Sequence, residues 1–401
     1  MFTITADAVL PCTITGSWPR PRWMDVSMWR RPLDSCMMDV RFREKFGDAL
    51  TTVIGDQERA GLDILTHGDL HCDEDYAGRA WHHYPLQRWA GFEGEHLQSW
   101  LTRSPWLKYP PGTMLNEIYT GWRWPRVTGK IEHRPLDYPK IWRLAQARTR
   151  KPVRFGTCCS QVMGLFLDIA TPHYKDKRQV LWDMAEAMNT ELRALAAAGC
   201  KSIQIEEPCL HFMANTFGKD HDDVKFYLEC YNREVQGLDN VEVWIHTCWG
   251  NPNMQRVIED TSYAASLELY MEQCRGDVWT VEMKDRDFAD IALLERFKHD
   301  SKKKICIGAV SHRTLQADRP EEVAASIRRA LEYVKPENLI VSSDCGFGRQ
   351  GANREIAFFK ATAIAQGTNL VRKELGLPTT HVPAADPRLQ TDLVPKSTTR
   401  S

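Results

Sequence analysis

Eight short apolar runs recur along this chain of 401 residues, and each is followed by a longer stretch that reads as helix. The runs are apolar on both faces, as is typical of strands in a parallel sheet that helices cover on both sides. Eight strand–helix units joined by right-handed crossovers are what a closed (β/α)8 TIM barrel requires. The runs are CTITG (12–16), LDILTHG (62–68), PVRFGT (152–157), CKSIQIEE (200–207), VEVWIHTC (241–248), DVWTVEM (277–283), KICIGAV (304–310) and NLIVSSDC (338–345).

A doubly wound open sheet is the alternative α/β architecture. Such sheets often bind phosphates through a glycine-rich loop, but no GxGxxG, GxxxxGKS or GxxxxGKT motif follows any of the eight runs. The pattern therefore predicts a single barrel over residues 10–376, with an irregular aromatic insertion at 70–135 above one barrel end. The Pro- and Thr-rich tail at 377–401 is expected to be mobile, or ordered only against another subunit.

The charges of the chain are almost balanced, since 52 Lys and Arg residues face 53 Asp and Glu residues and leave a net charge of −1. A protein that binds nucleic acid or an anionic membrane surface needs a basic excess, so we expect neither partner. No apolar run approaches the roughly 20 residues of a membrane-spanning helix. The start MFTITADAVLPC lacks the basic and apolar regions of a secretory signal, so the expected location is the cytoplasm.

Twelve cysteines are scattered along the chain, and none forms a CxxC pair. In a reducing compartment such cysteines serve as apolar filler, metal ligands or reactive thiols and do not form a disulfide framework. The spacing argues against a zinc finger or ribbon. Any metal site would therefore be assembled from distant segments.

Polar residues with metal-binding or acid–base side chains stand at the carboxyl ends of these runs. Chemistry gathers at this end of the strands in a barrel, so we expect these side chains to surround one mouth. In chain order they are Ser17, His67, Asp69, Thr157, Glu206, Glu207, His246, Cys248, Glu282, His312, Asp344 and Cys345.

A zinc site is predicted from four of these residues. His246 and Cys248 are two apart on one strand, so their side chains leave the same face and can share one ion. Glu282 and Cys345 end two other strands at the same mouth. One nitrogen, two sulfurs and one carboxylate oxygen suit tetrahedral Zn²⁺. The alternative interpretation is that both cysteines are buried filler and that His246 is a hydrogen-bonded core histidine.

The charge of that ligand set indicates what the metal would do. Two thiolates and one carboxylate leave a zinc site at about −1, which makes it a poor activator of water. Such a site favours a substrate thiol that is deprotonated and still nucleophilic. The carboxylate of Glu282 is the ligand most easily displaced by that thiol, so the residues predict an alkyl transfer to a thiol.

The same segments resemble the catalytic barrel of the cobalamin-independent methionine synthases, from Gly16 to about Gly376. The resemblance is carried by GSWPRP (16–21), LTHGD (65–69), KPVRFG (151–156), IQIEEP (203–208), IHTC (245–248), TVE (280–282), IGAVSH (307–312) and DCGFG (344–348).

The resemblance implies a role for each site residue. It makes His246, Cys248, Glu282 and Cys345 the zinc ligands, and it places Ser17 at the carboxylate of the amino-thiol substrate. It makes Asp69 and Glu206 the acids that hold the substrate ammonium group, and His312 the histidine that protonates the leaving group. The implied function is a zinc-dependent methyltransferase of methionine biosynthesis, with a zinc-bound thiolate of homocysteine or a similar amino-thiol as nucleophile.

The methyl donor is left open between a folate, a methylated carrier and a methyl ether. Folate-dependent members place an acidic residue where this chain has Phe212, and a tryptophan platform after the third strand has no counterpart between Trp142 and Trp182. A homo-oligomer is also left open.

Two alternative functions are also compatible with the sequence. An apolar donor would suit the aromatic insertion, so the alternative enzyme is an alkyl transferase that opens an epoxide with a thiol such as coenzyme M, or that demethylates an aromatic ether. The insertion's aromatic residues would equally serve as interface or capping core, and they are Trp81, Tyr84, Trp89, Phe92, Trp122 and Trp124. An alternative of another class is a zinc-holding or thiol-sensing protein without turnover.

Overall fold

A curled parallel sheet of seven strands forms the centre of the protein, in the order β1-β4-β6-β7-β8-β9-β10. The computed structural model describes residues 1–28, 30–72, 83–97, 109–165, 167–258, 262–299, 301–348 and 352–389. The predicted α/β barrel architecture is confirmed. The strands are β1 (Leu65–Thr66), β2 (Ala90–Leu97), β3 (Arg123–Glu132), β4 (Val153–Cys158), β5 (Asp168–Ile169), β6 (Ser202–Glu206), β7 (Glu242–Thr247), β8 (Val278–Val281), β9 (Lys304–Val310) and β10 (Leu339–Ser343).

The first predicted strand closes the sheet, although it pairs through a single parallel bridge between Cys12 and Val341. On one side the backbone N–H of Val341 donates to the carbonyl of Pro11 at 2.9 Å, and that of Thr13 donates to the carbonyl of Val341 at 2.9 Å. On the other side the N–H of Ile64, next to β1, donates to the carbonyl of Cys12 at 3.2 Å. This segment therefore occupies the eighth strand position between β10 and β1.

Helices cover the outside of the sheet. Helix α7 shows why they form where they do: the Asp176 side chain caps its start by accepting from the N–H of Gln179 at 3.0 Å, and Val180, Met184 and Met188 repeat on its buried face. The helices are α1 (Leu33–Met38), α2 (Val40–Ala60), α3 (His83–Leu86), α4 (Met114–Gly121), α5 (Tyr138–Gln146), α6 (Ser160–Met163), α7 (Lys177–Ala197), α8 (Cys209–Phe217), α9 (Asp222–Glu234), α10 (Pro320–Leu331) and α11 (Arg354–Glu374).

The expectation of a regular helix after each strand is wrong after β7 and β8. Short 3₁₀ turns and one π-helical turn (Leu269–Gln273) follow there instead. After β7 the physical reason is that Pro252 lacks an N–H and that Asn253 and Met254 both have positive φ, of 47° and 62°. After β8, Asp287 and Phe288 have positive φ as well, of 47° and 56°. These conformations are incompatible with a continuing α-helix.

The described parts of the aromatic insertion build a small second sheet. Strands β2 and β3 pair antiparallel, and β3 pairs parallel with β5, which comes from the loop after β4. Helix α3 precedes β2 in sequence, and helix α4 lies between β2 and β3. Trp81 lies outside the described residues.

The described part of the tail, 377–389, packs against its own chain, which corrects the expectation of a mobile arm for these residues. The hydroxyl of Thr380 donates to Asp63 at 2.6 Å, and its N–H donates to the side-chain oxygen of Asn369 at 3.0 Å. Because both partners belong to the barrel body, ordering this segment needs no second subunit. Residues 390–401 lie outside the described residues.

The inside of the ring holds its own small apolar cluster of Ile64, Trp244, Val278, Cys306 and Ile340. The buried guanidinium of Arg154 stacks over the Trp244 ring, 4.1 Å from its centroid. Within the described ranges, no helix combines the length and the apolar composition that crossing a membrane requires.

Candidate active site

The carboxyl ends of three strands bring the four predicted zinc ligands to one edge of the sheet. Cys248 directly follows β7, which contains His246, and Glu282 directly follows β8. Cys345 lies two residues after β10. Parallel strands end at a common edge, so residues far apart in sequence meet there.

Three of these side chains, His246, Cys248 and Cys345, form a compact buried cluster. One ligand atom from each lies within 4.8 Å of the others, and the two Sγ atoms are 4.0 Å apart. Zinc bonds of about 2.3 Å to sulfur and about 2.0 Å to nitrogen put tetrahedral ligand atoms about 3.5–3.8 Å apart. The cluster therefore has a size and a donor set that could hold a tetrahedral metal ion.

Glu282, the fourth predicted ligand, is not part of that cluster. Its buried carboxylate pairs with Arg313, whose Nη2 lies 2.9 Å from Oε1 and 3.0 Å from Oε2. It also accepts from the backbone N–H of Trp249 at 2.9 Å. Burial raises the pKa of Glu282, although Arg313 opposes that shift. Arg313 was not predicted as a site residue, although it directly follows His312 and supplies the cation that a buried carboxylate needs.

Glu206 contacts the metal-ligand candidate His246 directly. The two residues are opposite each other in the parallel register of β6 and β7, and the Nδ1–H of His246 donates to the Glu206 carboxylate. Burial alone would lower the pKa of His246, but Glu206 and Cys345 together raise it to about 9. The other oxygen of Glu206 accepts from Gln204 Nε2 at 2.7 Å. Such a carboxylate orients a metal-binding histidine and fixes its tautomer.

The predicted substrate residues Ser17 and Asp69 reach the same mouth from the first two loops. The carbonyl of Ser17 accepts from the N–H of Phe347 at 2.9 Å, which ties it to the segment that carries Cys345. Gly346 is required there, because a Cβ atom at this position would lie 2.7 Å from the backbone nitrogen of Ser17. Asp69 adopts a left-handed backbone with φ of 55°, and one carboxylate oxygen lies 3.4 Å from His67 Nε2.

His312 is buried behind the site. Neither ring nitrogen has a hydrogen-bond partner among the described residues, and burial, followed by Arg313, holds the pKa of His312 well below its ordinary value. A cavity of about 160 Å³ opens over the site, and His312 is not among its described lining residues. The expected proton donor is therefore a neutral imidazole outside the cavity wall.

Acids, sulfurs and aromatic rings share the lining of that cavity. Ser17, Asp69, Glu206, Cys248 and Cys345 line the side of the strand ends. Six aromatic side chains also line the cavity, and two of them, Tyr119 and Tyr138, had no predicted role at the site. The six are Tyr84, Tyr119, Trp122, Trp124, Tyr138 and Phe212.

Known proteins share this architecture and sequence pattern. A family model described as the catalytic domain of cobalamin-independent synthases matches residues 143–366. The chain is 28% identical over 378 residues to a methionine synthase of Sulfurisphaera tokodaii, covering 92% of this chain and 94% of that protein. It is 29% identical to a methionine synthase of Saccharolobus solfataricus, covering 92% and 96%.

Two solved structures show the same fold. One is a B12-independent methionine synthase from Shewanella sp. W3-18-1 in complex with selenomethionine, with a TM-score of 0.71, 22% identity, and coverage of 92% of this chain and 99% of that chain. The other is a putative vitamin-B12 independent methionine synthase from Listeria monocytogenes, with a TM-score of 0.63, 18% identity, and coverage of 91% and 99%.

Proposed function

Because the chain belongs to the family of cobalamin-independent synthases through its catalytic domain, we propose that it transfers a methyl group to the thiol of homocysteine. The observation that carries the proposal is the buried cluster of His246, Cys248 and Cys345, whose two cysteines line a cavity together with Asp69 and Glu206. The curated relatives that cover 92% of the chain are methionine synthases.

The resident metal in this proposal is zinc, held by His246, Cys248 and Cys345. Glu282 is the candidate for the fourth position, since its carboxylate ends the neighbouring strand and is held by an ion pair with Arg313. Bound zinc would keep a substrate thiol deprotonated and nucleophilic at neutral pH. Glu206 keeps His246 in one ring orientation through the Nδ1 contact.

Homocysteine is the proposed thiol because the cavity carries negative charge. Asp69 and Glu206 line it, and among its described lining residues there is no Lys or Arg to receive a sulfonate. One unit pair near 4 Å is worth about 4 kcal/mol at an effective dielectric of about 20, before desolvation. Since Glu206 already contacts His246, Asp69 is the main partner of the substrate ammonium group. Coenzyme M, the thiol of the alternative function, would be repelled by both acids.

Ser17 is the proposed contact of the homocysteine carboxylate, because it sits between the loop of Asp69 and the segment of Cys345. A donor whose leaving group is neutral only after protonation would need a proton, and His312 is the proposed source in that case.

The test is metal analysis together with product analysis. We expect about one zinc per chain, largely lost in Cys248→Ser and Cys345→Ser but retained in the control Cys274→Ser, a buried cysteine just before β8 at the opposite end of the barrel. Mass spectrometry should find methionine after incubation of the zinc-loaded chain with homocysteine and a panel of methyl donors. Full zinc in both variants would refute the ligand assignment, and methylation of coenzyme M in preference to homocysteine would refute the substrate.

A further inference from the structure

Asp344 directly precedes the candidate ligand Cys345, and it is completely buried. Its backbone N–H donates to the carbonyl of Val310 on β9 at 2.9 Å. Its own carbonyl accepts from Nε2 of His246 at 3.1 Å. The strand-end pattern predicted Asp344 at the mouth of the barrel without giving it a role. Its backbone therefore already links β9, β10 and one candidate ligand on β7.

The carboxylate of Asp344 holds the segment that follows Glu282. Its Oδ1 accepts from the backbone N–H groups of Met283 and Lys284, both at 2.8 Å. Its Oδ2 accepts from the N–H of Asp285 at 2.7 Å. Three successive backbone N–H groups are thus satisfied by one buried side chain. This contact ties the end of β8 to the end of β10.

The backbone of Glu282 is anchored on both sides as a result. On its carboxyl side lies the segment that Asp344 holds, and on its amino side the N–H of Glu282 donates to the hydroxyl of Tyr263 at 3.2 Å. These contacts involve the main chain of Glu282 and not its carboxylate. The anchoring is therefore the same whether that carboxylate pairs with Arg313 or binds a metal.

Gly308 on β9 provides the space that Asp344 occupies. A Cβ atom at this position would lie 1.9 Å from Oδ1 of Asp344 and 2.5 Å from its Cα atom. Any larger residue would therefore displace the carboxylate from the three N–H groups. The neighbouring strand is shaped to hold Asp344 in this place.

We infer that Asp344 is a positioning residue of the candidate metal centre, which holds Glu282 at a fixed place relative to the ligands on β7 and after β10. This inference rests on the proposed function, because it concerns the zinc that the site is proposed to hold. Asp344 acts through the ligands and does not itself bind the metal. Functional groups of such a site need to be held within about 0.5 Å of their working positions.

Asp344→Asn is the variant that tests this role with the smallest change of shape. Asparagine keeps one acceptor oxygen and replaces the other with an amide that only donates, so at least one of the three N–H groups loses its acceptor. Glu242→Gln is the matched control. Glu242 is a buried carboxylate that accepts from the N–H groups of Thr3 at 2.8 Å and Thr5 at 3.1 Å. It is the first residue of β7, at the opposite end of the barrel.

Hydrogen exchange of the zinc-free full chain, followed by mass spectrometry, measures the anchoring without any metal. We expect the amides of residues 283–285 to be protected in the parent and to exchange several-fold faster in Asp344→Asn. Exchange in α7 should stay the same, which also shows that the variant is folded, and Glu242→Gln should leave residues 283–285 unchanged. If these amides exchange in the parent as fast as exposed ones, the inference is overturned without any variant.

Metal binding is measured by competition with a zinc chelator and by the visible spectrum of the chain loaded with Co²⁺. Loss of a group that orients metal ligands typically lowers metal affinity about 10–100-fold, and we expect that loss in Asp344→Asn. The Co²⁺ bands, which report ligand geometry, should shift in the same variant and stay unchanged in Glu242→Gln. Equal zinc affinity in Asp344→Asn and the parent overturns the inference and leaves the proposed function intact. A parent chain that binds neither metal overturns both.

Discussion

Arg313 holds Glu282 through a forked ion pair, with one guanidinium nitrogen 2.9 Å and 3.0 Å from the two carboxylate oxygens. The guanidinium is also fixed by Asp285 at 2.9 Å and by the carbonyl of Gly250 at 2.6 Å. Glu282 therefore has a protein partner in the absence of a metal. If Glu282 is the fourth zinc ligand, Arg313 and the metal compete for the same carboxylate.

We expect Arg313→Ala to destabilise the metal-free chain and to tighten zinc binding. Loss of the guanidinium leaves a buried carboxylate without its cation, which should lower the free energy of unfolding by about 3 kcal/mol. Added zinc should restore most of the lost free energy of unfolding, because the metal would then neutralise the carboxylate. Urea unfolding with chelator and with zinc measures both effects.

Arg256→Ala is the matched control for that experiment. Arg256 pairs at 2.7 Å with Asp285, the acid that also binds Arg313, but Arg256 is partly exposed. Its removal should therefore lower the free energy of unfolding by less than about 1 kcal/mol. Weaker zinc binding in Arg313→Ala would show that Arg313 supports the metal site and does not compete with it.

Glu206→Gln should weaken zinc binding as well as homocysteine binding. The substitution removes the charge that faces Nδ1 of His246, and loss of such a partner typically costs about 10–100-fold in metal affinity. A competition titration with a zinc chelator measures the effect. Glu207→Gln is the control, since Glu207 faces Tyr270 at 2.8 Å instead. Unchanged zinc affinity in Glu206→Gln would leave Glu206 with a substrate role alone.

Asp69→Asn should weaken homocysteine binding at least about tenfold while zinc content stays the same, because the variant removes the main acceptor of the ammonium group. Asparagine tolerates the left-handed backbone that Asp69 adopts, so the loop should keep its shape. X-ray absorption at the zinc edge during a thiol titration is the measurement. Equal homocysteine affinity in the variant and the parent would remove Asp69 from the site.

The buried carboxyl group of Glu234 should make stability fall as pH rises. Burial raises its pKa to about 8 from an ordinary value of 4.5, so the folded state keeps a proton that the unfolded chain releases. The stabilisation is complete below about pH 4.5 and is lost as pH rises through about 8, at up to about 1.4 kcal/mol per pH unit.

Urea unfolding between pH 5 and pH 9 tests that prediction, with Glu234→Gln as the comparison. Glutamine keeps a side-chain carbonyl that can accept from the N–H of Ser160, as Glu234 does at 2.9 Å. The variant should show a flatter pH dependence than the parent. Parallel curves for the two proteins would assign the pH dependence to other groups.

The strands of the barrel were predictable because their signal is local. Seven of the eight apolar runs contain strands of the sheet, and the proximity of His246, Cys248 and Cys345 followed from the rule that such strands end at one mouth. The first run was harder, since its segment pairs through a single bridge to a strand more than 300 residues away. The extent of pairing there depends on closure of the whole ring.

The partners of the site acids were not predictable from strand ends. Glu206 meets His246 because β6 and β7 pair in that particular register, and a shift of one residue would separate them. Glu282 meets Arg313 across two different loops. The order of residues 377–389 could not be predicted from their composition, because a low apolar content indicates only a small hydrophobic contribution. Thr380 is held instead by hydrogen bonds to Asp63 and Asn369.

The placement of the first segment between β10 and β1 has a consequence for the order of assembly. The N–H of Thr15 donates to Ser343 Oγ across 328 residues of chain, so this seam can form only after nearly all of the chain has been synthesised. Contacts of such long range form late and slowly. Ser17 and Cys345 stand on the two sides of the seam, so the catalytic mouth is complete only when the ring has closed. In a refolding experiment, metal binding should therefore occur after the circular dichroism signal of the helices has appeared. The interval between the two would measure how long the ring takes to close.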